Sequence, residues 1–167
     1  EFLKTREAIA EEKGMLARAL PADGILFLPA TCEFCDYLRQ RTKAHMIAVG
    51  NGRGMVRAEN LRFELDGTSF TLVIEGENPV EVNLPVPGRH MVTNALLAAG
   101  VGWKLGISPA DIATGLSDTE ISGGRLGRYD YHGTTVIDDT YNANPDSMAA
   151  AIETLADTPV NNGSRRI

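Results

Sequence analysis

The stretch from Val136 to Met148 constrains the fold of this chain more than any other. Residues 134–137, Thr-Thr-Val-Ile, are β-branched throughout, which predicts a short buried strand. Asp138 and Asp139 stand at its carboxyl end, and a polar turn follows through Asn144. Pro145 then opens an alanine-rich helix. Pro suits the first helical position because its missing N–H needs no partner there, and Asn144 before it can cap the free donors. Strand, acidic turn and helix in that order is where open α/β sheets bind ligands, beyond the carboxyl ends of their strands. The same Asp and Asn side chains would equally serve a plain turn by satisfying their own backbone. Spacing alone leaves both readings open.

The chain's 167 residues suffice for a real core and for one to two domains. At 43% hydrophobic and 23% charged it has an ordinary globular make-up rather than that of a disordered tail. A formal charge of −6 argues against a general nucleic-acid binder, which depends on Lys and Arg to displace counterions. It leaves room for a nucleotide, which needs only a local positive site. No run approaches the roughly 18 apolar residues of a membrane span, and no signal peptide opens the chain, so a cytoplasmic location is expected. The sequence starts without Met, and Arg165-Arg166-Ile167 reads as the opening of a further strand. Both ends are therefore expected to be interior points of a longer protein.

Cys32 and Cys35 are the only cysteines. A Cys-x-x-Cys after a strand can be a redox pair, but zinc needs about four ligands and no second Cys or His pair is present. Phe34, Cys35 and Leu38 also share one apolar helix face, so packing thiols in a reducing compartment are the expectation.

Residues 5–20 predict a helix with Thr5 as its cap and an apolar stripe of Ile9, Leu16 and Leu20. Lys13 falls on that stripe. It is either a stem snorkelling at the edge of the core or an amine held beside chemistry. Residues 24–28, 33–41 and 45–49 predict strand, helix and strand, a βαβ unit that implies a parallel sheet. Gly50-Asn-Gly-Arg-Gly54 lacks the Lys-Ser/Thr ending of a phosphate loop and reads as a connector. Period-two alternation then runs through Leu61, Phe63 and Leu65, through Phe70, Leu72 and Ile74, and through Val80, Val82, Leu84 and Val86. That predicts an antiparallel meander, a small sheet beside the parallel one.

Residues 91–105 predict a helix too apolar for the surface, with His90 and Asn94 on one face at its start. They are a capping His and a satisfied buried Asn, or a small polar reader in an apolar cleft that suits a purine. Ser108-Pro109 starts a short helix. Ser122-Gly-Gly-Arg125 reads as a hinge and domain boundary, residues 129–138 as a hairpin around His132-Gly133, residues 145–156 as a helix, and residues 161–164 as a loop.

Four signals in order now stand out: Glu1 with Lys13-Gly14, Gly88-Arg-His90 with Asn94-Ala-Leu, Gly124-Arg125, and Asp138-Asp-Thr-Tyr-Asn-Ala-Asn-Pro-Asp-Ser-Met148. Together they resemble the Mur ligases of peptidoglycan synthesis. The last string is similar to the branch that adds D-Ala-D-Ala to UDP-MurNAc-tripeptide. The resemblance implies an α/β fold: part of a parallel-sheet central ATPase domain with a small antiparallel meander over 1–121, and the first strand–helix unit of a Rossmann-like C-terminal domain over 122–167. It also implies that the phosphate loop, the magnesium-binding glutamate and the UDP-holding domain lie before residue 1.

The family's chemistry is ATP-dependent amide ligation through an acyl phosphate, with Mg2+ and cations spreading the phosphoryl charge. By resemblance Lys13 would be a catalytic lysine that serves a metal only as its carbamate. His90 and Asn94 would face the adenine, Asp139 the ribose hydroxyls and Arg125 the phosphates, with Asn142 and Asn144 in the same nucleotide-binding set. Met91 stands where the family usually has asparagine. The piece alone is expected to be inactive, and an exposed sheet edge to favour self-association. The competing expectations are a scaffold relative without the phosphate loop, and a thiol oxidoreductase on Cys32 and Cys35.

Overall fold

Residues 5–64, 66–120, 123–160 and 163–167 are described by the structure, a computed structural model. Thr5 caps α1 (Arg6–Ala19), its hydroxyl accepting the Ala8 N–H at 3.1 Å as the sequence predicts. The buried face of α1 is not the expected one. Ala10, Gly14 and Ala17 turn inward, while Ile9 and Leu16 are 44% and 74% exposed and Lys13 is exposed with them. Close approach explains the difference. A Cβ on Gly14 would already lie 3.2 Å from Leu38, so only a small-residue face fits against α2 (Cys35–Arg39).

β1 (Ile25–Pro29) and β2 (His45–Asn51) pair in parallel, Phe27 opposite Ile47, as the βαβ reading requires. β3 (Val56–Phe63), β4 (Thr68–Ile74) and β5 (Val80–Leu84) form the antiparallel meander. It is not a separate sheet. All five strands make one mixed sheet in the order β1-β2-β3-β4-β5, because β2 and β3 pair in parallel across the glycine connector. Parallel neighbours normally need about a dozen connecting residues. Here the chain doubles back through Gly52 at φ +65 and Gly54 at φ +95. The Met55 N–H donates to the Ala48 carbonyl at 3.0 Å, and a Cβ on Gly54 would sit 2.5 Å from that oxygen. The tight return thus depends on glycine.

α3 (Arg89–Lys104) buries Val92, Ala95, Leu96, Ala99 and Gly100 against this sheet. Its approach to β1 is close enough that a Cβ on Gly100 would meet the Phe27 ring at 2.7 Å. α4 (Pro109–Ser117) starts at Pro109 as expected, and Ser108 is its cap. Val49, Val56, Phe70, Leu72, Val86 and Leu96 are at the centre of the core.

β6 (Gly127–Tyr131) and β7 (Thr134–Asp138) form the expected hairpin around His132 and Gly133, both at positive φ. β7 is not the buried strand predicted: Thr134 and Thr135 are exposed and the rest is half-buried. Among the described residues β6 is its only sheet neighbour, so no further strand covers it. α5 (Pro145–Asp157) begins in a capping box between Asn144 and Ser147. Residues 165–167 form no strand, contrary to expectation. Glu1, Leu65, Ser122 and the start of the 161–164 loop lie outside the described residues. The architecture is α/β, a mixed five-stranded sheet with a small antiparallel one beside it.

Candidate functional site

The site grows from the glycine turn before β6. Gly124 has φ +72, and its carbonyl accepts the Tyr141 N–H at 2.8 Å. This extends the β6–β7 ladder and holds residues 124–126 beside residues 139–141. Two neighbouring carboxylates there have different work. Asp138 Oδ1 serves its own turn, accepting from the Thr140 N–H at 3.1 Å and the Thr140 hydroxyl at 2.7 Å. Asp139 Oδ1 accepts only the Leu126 N–H, at 3.3 Å, and among the described residues Oδ2 has no protein donor. The Oδ2 of Asp138 also has no protein donor among the described residues, so both aspartates keep an acceptor, and they differ in that Asp138 is bonded twice into its own turn while Asp139 makes one longer bond.

Arg125 is exposed, and its guanidinium lies 4.0 Å over the Tyr141 ring, an arrangement that fixes a cation by stacking rather than by pairing off its charge. Asn142 Oδ1 accepts the neighbouring Ala143 N–H at 2.9 Å, and Asn144 Oδ1 accepts the Ser147 N–H at 2.9 Å. The plain-turn reading thus accounts for the amide oxygens of both asparagines.

Gly88, at φ +107, brings α5 onto the start of α3: a Cβ there would lie 2.7 Å from Thr154 Oγ1 and 3.0 Å from the His90 ring. Arg89 forks onto Asp157 at the end of α5, Nε to Oδ2 at 2.9 Å and Nη2 to Oδ1 at 3.5 Å. His90, in the first turn of α3, is half-buried, and this burial pushes its imidazole below the ordinary 6.5. The nearby carboxylates of Asp139 and Glu153 push the other way, less strongly. The Asp139 carboxylate and the stacked Arg125 guanidinium thus share the Gly124 turn, while His90 stands at the start of α3, on which α5 packs at Gly88.

Asn94, one turn beyond His90, is exposed, its Nδ2 3.9 Å from Met91 Sδ. It is neither a satisfied buried Asn nor a polar reader in an apolar cleft, because α3 turns its apolar side chains to the sheet and this face to solvent. Neither the groove between β5 and α4 nor the one beside the β3–β4 turn is lined by His90, Asn94, Arg125 or Asp139. Lys13 stands apart on α1, and among the described residues no hydrogen bond or ion pair links it to the others. No cluster of three or more metal-ligating side chains occurs among the described residues. Cys32 and Cys35 are free thiols, and Cys35 is pushed up to about 11, by burial first and then by Cys32. A thiol held protonated is a poor exchanger.

Sequence reasoning missed Tyr141, Glu153 and Leu126. Tyr141 lay within the quoted string, whereas Glu153 and Leu126 carry no local signal and enter only through packing.

These features define an α/β protein whose polar site is assembled where a helix start meets the strand–turn–helix of a following segment. The chain belongs to the Mur ligase family, residues 1–102 matching the Mur ligase middle domain. The UDP-N-acetylmuramoyl-tripeptide–D-alanyl-D-alanine ligase of Mycobacterium tuberculosis is 39% identical over 158 residues, 91% of this chain and 30% of that protein. The crystal structure of MurF from Acinetobacter baumannii superposes with a TM-score of 0.86 at 30% identity, over 93% of this chain and 34% of that one. A MurF from Thermotoga maritima in complex with ADP superposes with a TM-score of 0.80 over 95% of this chain and 36% of that one, a likeness of fold at 20% identity. This chain spans about a third of the length of the relatives it matches. The resemblance read from the motifs is borne out, at the level of MurF-type Mur ligases.

Proposed function

We propose that this chain carries the nucleotide-facing hinge of an ATP-dependent, MurF-type ligase that joins D-Ala-D-Ala to UDP-MurNAc-tripeptide in the cytoplasm. Residues 1–121 are then the second half of a central ATPase domain and 122–167 the start of a C-terminal domain. The observation that carries this reading is the Gly124 turn, where Asp139 holds the Leu126 N–H and Arg125 stacks on Tyr141, with α5 packed on the start of α3 at Gly88. ATP supplies the phosphoryl group that activates the tripeptide carboxylate for attack by the dipeptide amine. Asp139 Oδ2 accepts the ribose hydroxyls, and Arg125, steadied by Tyr141, faces the phosphates. His90 and Asn94 border the adenine, while Asn142 and Asn144 shape the loop that flanks it. Nucleotide contacts from both segments favour closure of one on the other.

Magnesium does not fit a site made by this chain's described residues alone. They hold no cluster of ligating side chains, and Lys13 would offer oxygens only as a carbamate. No step is routed through the metal, and the chain by itself is proposed to be inactive.

Titration with ADP tests the reading. Losing one charge-assisted acceptor pair removes about 1.5–3 kcal/mol, so Asp139→Asn is expected to weaken binding at least about tenfold. Asp138→Asn, whose carboxylate serves its own turn, is expected to leave affinity within about threefold. Equal affinity for the wild type and Asp139→Asn would refute the assignment.

A further inference from the structure

Leu126 is unusual twice over. It is a non-glycine residue at φ +53, in the left-handed region that L side chains avoid. It is also only 2% exposed, and among the described residues it is the one fully buried member of the core cluster that comes from beyond residue 120. A conformation of this kind persists where its surroundings over-determine it. Three bonds do so here. The Tyr141 N–H reaches the Gly124 carbonyl at 2.8 Å, the Leu126 N–H reaches Asp139 Oδ1 at 3.3 Å, and Gly127 pairs with Asp138. The left-handed turn lets Leu126 join the core of the five-stranded sheet while the preceding Arg125 stays outside over Tyr141.

We propose that Leu126 is a positioning residue, a plug that seats the β6–β7 hairpin on the core and so fixes where Arg125 and Asp139 stand relative to His90. Two ion pairs fasten the same segment around the plug. Arg128 Nη1 meets Asp66 Oδ1 at 3.1 Å, tying β6 to the β3–β4 turn, and Arg89 forks onto Asp157, tying α3 to α5. Asp66 and Arg89 are largely exposed, and exposed pairs contribute little alone. The buried apolar side chain is therefore the dominant anchor, with the pairs setting orientation, much as a dry centre and polar rim divide the work of an interface. The significance of the plug rests on the nucleotide reading of Arg125 and Asp139, but the seating itself is measured without nucleotide, so the two ideas fail separately.

Amide hydrogen exchange on the 167-residue chain reads the seating. In Leu126→Ala the amides of β6, β7 and α5 are expected to exchange at least about tenfold faster, while those of β4 and the buried face of α3 keep their rates. Leu126→Met, of similar volume, is expected to restore protection. The His90 ring resonance, which senses Asp139 and Glu153, is expected to shift in Leu126→Ala and return in Leu126→Met. Equal acceleration in β4 and α3 would make Leu126 mere core filling and overturn the proposal, as would unchanged exchange in the hairpin or an unmoved His90 resonance. Should Leu126→Ala not fold, Gly124→Ala reads the same seating from the turn, since a Cβ there would stand 3.1 Å from the Tyr141 nitrogen. Selective loosening of β6, β7 and α5 supports the plug, and uniform or absent loosening overturns it.

Discussion

At the scale of single residues, His90 carries an electrostatic signature that can be read in solution. Its folded-state pKa lies below 6.5 because burial outweighs the pull of Asp139 and Glu153. As pH falls, the unfolded chain takes up the proton first. The stability contributed by neutral His90 is therefore complete above pH 6.5 and is lost as pH drops from 6.5 through the folded value. NMR titration is expected to place the His90 midpoint below 6.5, to move it lower still in Asp139→Asn, and to show the stability loss in that window flattened in His90→Gln. A midpoint at or above 6.5 would contradict the burial assigned to it. Residue identity announced this site only in part. The acidic pair was visible in sequence, but which aspartate is the less engaged was not, because that depends on Thr140 bonding to Asp138 rather than Asp139. Lys13 was misplaced for a related reason: helical periodicity ranks faces by hydrophobicity, and α1 packs by smallness.

At the scale of elements, local chemistry was legible where it is strongest. Thr5, Ser108 and Asn144 all cap the helices they precede. The alternating strands and the His132-Gly133 hairpin also stand where the pattern puts them. The joint between β2 and β3 was not legible, since a glycine-rich connector does not reveal that its flanking strands will pair in parallel. The joint makes a sharp prediction. Gly52 and Gly54 both have positive φ, but only Gly54 has a backbone carbonyl where its Cβ would go. Gly52→Ala is expected to cost about 1–2 kcal/mol from backbone conformation alone. Gly54→Ala, which must also displace the Ala48 carbonyl, is expected to cost at least about 3 kcal/mol in urea unfolding. Equal costs would mean that the tight parallel return is wrong.

At the scale of the whole molecule, β1 has a strand neighbour on one side only among the described residues, and its Ile-Leu-Phe-Leu run is half-buried rather than buried. An apolar edge of that kind is a template for further pairing. Sedimentation velocity is therefore expected to show association that grows with concentration, and a clean monomer at high concentration would contradict it. The family was legible because the motif strings at residues 88–96 and 138–148 are dense and ordered, and the fold followed from the family. The seating of one segment on the other was not, since Leu126, Glu153 and the Arg89–Asp157 pair act through contacts distant in sequence.

The central claim is that His90, Arg125 and Asp139 face one nucleotide from two segments of the chain. Intermolecular NOEs between bound ADP and the isotope-labelled chain test it most directly. Contacts are expected from adenine protons to the first turn of α3 and from ribose protons to residues 139–141. Contacts confined to the groove between β5 and α4, or to α1, would contradict it.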